Sequence, residues 1–135
     1  MKKRLLILLC ILLFGAGIMA LVRNSYNVWF ATEVTLTLQH HGNNDIIVTL
    51  TDKKHIREIK SIIRGIERYD IGLNCGFAPD YSITFSDSKK SVSVFPPLDR
   101  CPHIGLDFEG RYIRISKRNL EKLLDIFKEY GYVYW

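Results

Sequence analysis

EVTLTLQHHGNNDIIVTLTDKKHIREIKSIIRGIER, residues 33–68, changes its period partway along, and that change decides the fold class. Val34, Leu36 and Leu38 alternate with Thr35, Thr37 and Gln39, the two-residue repeat of a strand with one buried face. His40 to Asp45 is turn chemistry, after which Ile46, Val48 and Leu50 resume the alternation, so the two runs predict a β-hairpin. Thr51 or Asp52 can then cap a segment in which Ile56, Ile59, Ile62, Ile63 and Ile66 recur at three- and four-residue spacing. That spacing predicts a helix from Lys53 to Arg68. One-faced strands and one-faced helices in one chain must be stacked on each other to bury their apolar sides, which means α+β.

The residues downstream repeat the pattern. After a loop from Asp70 to Pro79, Tyr81, Ile83 and Phe85 alternate with Ser82, Thr84 and Ser86. Asp87 to Lys90 turns the chain, and Val92 and Val94 carry a further strand, stopped at Pro96-Pro97 where the ladder N–H is missing. A second loop, Leu98 to His103, leads to a hairpin in which Leu106 and Phe108 face Tyr112, Ile113 and Ile115 across Glu109-Gly110. Ser116 can cap a last helix with Leu120, Leu123, Leu124 and Phe127 on one face and Gly131 as its C-terminal stop. The tail Tyr132 to Trp135 reads as a short strand, a flap over the core or a surface patch. The expected architecture is a two-layer α+β sandwich, a mainly antiparallel sheet with two helices on one face, preceded by one N-terminal hydrophobic helix.

That leading segment is Leu5 to Val22, LLILLCILLFGAGIMALV, behind Met1-Lys2-Lys3-Arg4. As a helix it is about 27 Å long, close to the ~30 Å hydrocarbon core of a bilayer. With its basic residues in front, the positive-inside rule places the N-terminus in the cytoplasm and the remainder outside. Two fates stay open: an uncleaved anchor, or a signal peptide cut after Ala20 and a secreted product. Tyr26, Trp29 and Phe30 fit either the headgroup level or the start of the core. Cys10 reads as a membrane-buried thiol, because bulky Leu8 and Leu9 precede it. The chain divides into residues 1–23, signal anchor or signal peptide; 24–32, juxtamembrane linker; and 33–135, a single extracytoplasmic domain.

Charge bounds the partners. The formal net charge is +5, but Lys2, Lys3, Arg4 and Arg23 belong to the leader, which leaves the domain 15 basic against 14 acidic side chains. A nearly neutral exported domain gives no case for nucleic acid. On the expected helix Lys53, Arg57, Lys60, Arg64 and Arg68 line up at helical spacing, either as a solvated face or as a contact for anionic lipid, polymer or an acidic partner.

Outside the cytosol, Cys75 and Cys101, in the loops flanking one hairpin, are expected to form a disulfide. The sharper alternative makes Cys75, Cys101 and His103 metal ligands, although their spacing matches no short-loop zinc pattern. His40 and His41 read as turn or surface histidines that could join a metal with Asp45 or His103. His55 reads as a partly exposed helix residue. The signatures G-x-S-x-G, H-E-x-x-H, the P-loop and the Gly-rich dinucleotide turn are all missing, so no catalytic residue, cofactor site or metal site is assigned.

Asn74-Cys75-Gly76-Phe77-Ala78-Pro79-Asp80-Tyr81-Ser82-Ile83-Thr84-Phe85, then Cys101-Pro102, then Gly110-Arg111-Tyr112-Ile113-Arg114-Ile115-Ser116 before a Leu-rich helix, resembles small exported bacterial proteins that carry a domain of unknown function. The resemblance spans Leu73 to Gly131 and implies a bacterial envelope setting, with no activity attached. The expectation from sequence is therefore a non-enzymatic binding module, tethered to the cell membrane by its N-terminal helix or secreted, with another envelope protein or an anionic polymer as partner. The competing expectation is a small metal-dependent or hydrolytic domain using Cys75, Cys101 and His103 or the His40-His41 turn.

Overall fold

The structure, a computed structural model, describes residues 2–23, 25–38 and 46–132. The first hairpin forms as its alternation requires. Strand β2 (Glu33–Leu38) pairs antiparallel with β3 (Ile46–Thr49), Leu36 opposite Val48 and Leu38 opposite Ile46. Val34, Leu36 and Leu38 are fully buried, while on the other face the Thr35 and Thr49 hydroxyls meet at 3.1 Å. Residues 39–45 lie outside the described residues, and the His40-His41 turn with them.

Asp52 is the cap of α2 (Lys53–Ile62), its carboxylate accepting from the Lys54 N–H. The helix then stops six residues before the expected Arg68. Ile63 closes the last turn, and Gly65 begins strand β4 (Gly65–Tyr69). The isoleucine spacing ran on through Ile66 by coincidence of phase. In the folded chain Ile66 belongs to a sheet and is 49% exposed.

β4 is held from both sides. Two residues just after α1 (Lys2–Arg23), Ser25–Tyr26, form strand β1 against it, Ser25 opposite Ile66. On the other side lies β8 (Arg111–Arg114), with Arg68 opposite Tyr112. The stretch read as a juxtamembrane linker, 24–32, thus carries a strand and two buried residues, Val28 and Ala31. Tyr26 and Phe30 pack against the core, and burial pushes the Tyr26 phenol up to about 12.

β5 (Tyr81–Ser86) is central, paired with β2 and with β6 (Ser91–Val94) around a turn in which Asp87 accepts from the N–H of Lys89 and of Lys90. The next hairpin forms in a different register from the expected one. β7 is His103–Gly105, placing Ile104 opposite Ile113, and Leu106 to Gly110 is the connection. Asp107 accepts from the N–H of Glu109 and of Arg111, which starts the turn early and leaves Phe108 at its tip.

The strand orders are β3-β2-β5-β6 and β1-β4-β8-β7, and a single Phe95–Gly105 pair joins the two sheets edge to edge. α3 (Lys117–Glu129) is capped by Ser116, which accepts from the Asn119 N–H. One apolar cluster unites both sheets with Ile59 and Ile62 of α2 and Leu120, Leu123 and Phe127 of α3. The fold is α+β, with antiparallel sheets and an apolar N-terminal helix as expected. The stretch Lys3–Ala20 is long and apolar enough to cross a membrane, and none of it is buried. Tyr132 stacks on Tyr81 with ring centres 5.1 Å apart; the rest of the tail, 133–135, lies outside the described residues.

Candidate functional site

The two loops on either side of β5 and β6 meet. Cys75 and Cys101 are disulfide-bonded, with Cα atoms 5.8 Å apart. The Asp99 carboxylate reinforces the junction by accepting from the N–H of Gly76 and of Cys101, both at 3.2 Å. Leu98 N–H donates to the Gly76 carbonyl at 2.8 Å. Phe77 lies flat over Gly105, where a Cβ would come within 3.2 Å of the ring. The loops are thereby fastened to the outer side of β7.

His103 opens β7 beside the cystine, its Nδ1 2.9 Å from Cys101 Sγ and 3.4 Å from Cys75 Sγ. Its ring stands edge-on to Tyr112, with centres 4.9 Å apart. Partial burial, then the positive charges of Arg114 and Arg68, hold its pKa below the ordinary value, with Asp99 opposing. The imidazole is accordingly neutral at pH 7. Because the folded form binds the proton less readily than the unfolded chain, stability is kept above the unfolded value of 6.5 and lost as pH falls through the folded one. Replacing His103→Gln is expected to flatten this acid-side loss, measured as denaturant midpoints from neutral pH down to about pH 5.

The ligand atoms of Cys75, Cys101 and His103 lie within 4.8 Å of one another. This donor set suits a soft metal when both sulfurs are thiolates. In the disulfide form both sulfurs are committed to each other, and the imidazole alone remains.

His55 has partners that sequence spacing did not reveal. Its Nδ1 lies 2.9 Å from the Tyr130 hydroxyl, and its Nε2 3.3 Å from a Glu129 carboxylate oxygen. Asp52 approaches at 3.8 Å. The ring is largely buried and clamps the start of α2 to the end of α3. It is a structural tie between the two helices, since no Ser or Cys hydroxyl or thiol joins it among the described hydrogen bonds.

The five basic residues expected to share a helix face are dispersed. Lys53 and Arg57 are exposed on α2, Arg57 Nε donating to the Lys53 carbonyl. Lys60 turns inward: its Nζ donates to the carbonyls of Ala31 at 2.7 Å and Trp29 at 3.1 Å, and lies 5.6 Å from the Trp29 ring centre. It ties α2 to the segment after β1. Lys60→Met, which keeps the stem and removes the charge-assisted bonds, is expected to cost about 1.5 kcal/mol in a urea titration. Arg64 lies beyond the helix, and Arg68 projects from β4.

Arg68 finds different company. Residues directly opposite in an antiparallel pair share a face, and successive residues alternate. The register therefore puts Ile66, Arg68, Tyr112, Arg114 and His103 together on one face, with Ile113 and Ile104 buried on the other. A shallow depression of about 370 Å³ between Ile66, Arg68, Arg114 and Ile115 opens there. Among the described ion pairs none involves Arg68 or Arg114, whereas neighbouring Arg111 is paired with Asp107 and Glu67. Arg114 was not singled out from sequence as a site residue, and Tyr112 only as a hairpin residue. The alternation in Arg111-Tyr112-Ile113-Arg114, with Ile113 inward, is the signal that carries them.

No protein-family model matches the chain, and no curated protein or solved structure does either.

Proposed function

We propose that the chain is a membrane-tethered binding module of the bacterial envelope, with α1 as anchor and the β-rich domain outside the cytoplasm. The observation that carries this reading is the open face of β4 and β8, bounded at β7 by the cystine loops. There Arg68 and Arg114 project without a described carboxylate partner, flanked by Ile66, Tyr112 and His103. Two guanidiniums without a described carboxylate partner, beside an aromatic ring, suit a carboxylate- or phosphate-bearing partner. An apolar helix at the N-terminus and a cystine in the domain support the extracytoplasmic setting. This replaces the α2 stripe as the anionic contact and retains only Arg68 from it.

Photocrosslinking from positions 66 and 112 in native membranes tests the reading, with position 89 on the β5–β6 turn as control. A defined adduct from 66 and 112, lost in the Arg68→Glu, Arg114→Glu variant, is expected. Equal or absent labelling at all three positions would sink it.

A metal-binding reading rests on the Cys75, Cys101 and His103 donor set and applies to the reduced chain. It requires zinc to bind at one equivalent after dithiol treatment and to be excluded from the oxidised protein. Failure of the reduced chain to retain zinc removes it.

A further inference from the structure

The sheet register places one end of the domain on the side from which the chain enters β1. α1 ends at Arg23 and β1 begins at Ser25, so their Cα atoms are at most about 7 Å apart. β4 runs antiparallel to β1, with Ser25 opposite Ile66 and Tyr26 opposite Gly65. Every residue of β4 past Ile66 therefore lies on the side of Ser25 from which the chain enters β1. Tyr69 lies about 10 Å beyond the level of Ser25.

The 106–110 turn comes to the same end, because Tyr69 is opposite Arg111. Asp70 N–H donates to the Gly110 carbonyl at 2.9 Å. Gly110 has φ +110, and a Cβ there would come within 3.0 Å of the Asp70 carbonyl oxygen. Residues 70–73 and 106–110 are thus one tip built from two touching loops.

This tip displays apolar side chains to solvent, although one side of the Phe108 ring packs on Phe95, with centres 4.4 Å apart. Ile71 is 78% exposed, Tyr69 63% and Phe108 55%. Ile71 is more exposed than any described large apolar residue of α1, where the highest value is 75%. The charges at the tip are Arg68 and Arg111 against Glu67, Asp70, Asp107 and Glu109. Arg111 is committed to Asp107 and Glu67, and the Asp70 carboxylate accepts from the Gly72 N–H. The balance is acidic, so attraction to anionic headgroups does not hold the tip down. Apolar burial does, and the carboxylates limit its depth to the interface.

We propose that the tip formed by residues 70–73 and 106–110 rests in the interfacial layer of the bilayer that α1 spans, with Ile71 and Phe108 inserted among the headgroups. This rests on the tether reading above. It turns a domain hung from a single helix into one seated at two points, and it fixes which way the Arg68 and Arg114 face looks.

The test uses the full chain in a Cys10→Ser background, with Ile71→Cys, Phe108→Cys or Lys89→Cys labelled by an environment-sensitive fluorophore. Each is reconstituted in phosphatidylcholine vesicles with or without a lipid-borne quencher near the headgroup. Non-reducing gels check that the native disulfide is retained. Labels at 71 and 108 are expected to shift to the blue and lose emission with the quencher, at low and high salt alike, while the label at 89 does neither. If all three stay water-like while the protein resists alkaline extraction, the tip inference is wrong and the tether stands. If alkaline washing releases the protein, the tether reading is wrong and the inference goes with it. If 71 and 108 are shielded in native membranes but unquenched in protein-free vesicles, a protein covers the tip and the lipid assignment is overturned.

Discussion

Replacing Cys75 and Cys101 together by serine is expected to lower the unfolding free energy by about 3.5 kcal/mol, the loop-closure value for a separation of 26 residues. A small domain has about 5–15 kcal/mol in total, so the variant would sit close to its unfolding threshold. The effect is large here because the loops joined by the cystine carry few other fastenings. The Asp99 bonds and the Leu98–Gly76 bond are the main ones described between the loops, and Gly76, Leu98 and Asp99 are exposed. Urea midpoints of the full chain in mild detergent, with and without reductant, measure it. A double variant that unfolds at the wild-type midpoint would show that the loops close without their covalent link. Dithiol treatment of the wild type should reproduce the loss, and the serine variant should ignore the dithiol.

Phe127→Ala is expected to cost about 4 kcal/mol, at the level of other buried Phe truncations. The ring is fully buried on the inner face of α3 and stands edge-on to Tyr81 of β5, with centres 5.7 Å apart. It also meets Tyr132, whose N–H returns to the Phe127 carbonyl. Removing it takes away the contact that seats α3 on the central strand and the support beneath the start of the tail. The matched control is Ile71→Ala, which should change stability by less than about 0.5 kcal/mol, because an exposed side chain has no folded-state packing to lose. Equal costs for the two would mean that the core lies elsewhere.

The strands with clean alternation were legible because their periodicity reports one buried face directly. Val34, Leu36, Leu38, Ile83 and Phe85 all point inward. Capping chemistry was equally local: Asp52 and Ser116 do what their side chains permit. The end of α2 was not local. Residues 65–69 keep the helical spacing of isoleucines, yet they become a strand because β1 and β8 offer ladders on both sides. Those partners lie about 40 residues away in either direction, so no window around Ile66 contains the deciding interaction. The same reason hid the His55 clamp, whose partner Tyr130 is 75 residues on. It also hid the Arg68 and Arg114 face, which exists only once β4 and β8 pair. The cystine was legible because compartment and cysteine count narrow the choice before geometry enters.

β1 is two residues long, and it is the first strand after α1 in the chain. Under the proposed tether, any tension between bilayer and domain would enter the fold there, on two backbone pairs at the edge of β4. Behind them stand Val28 and Ala31, buried in the core, and the Lys60 ammonium gripping the carbonyls of Trp29 and Ala31. The domain therefore has a weak first link in front of a strong second one. A modest pull would peel Ser25 and Tyr26 from Ile66 and Gly65 and pay out slack, while the core stays shut.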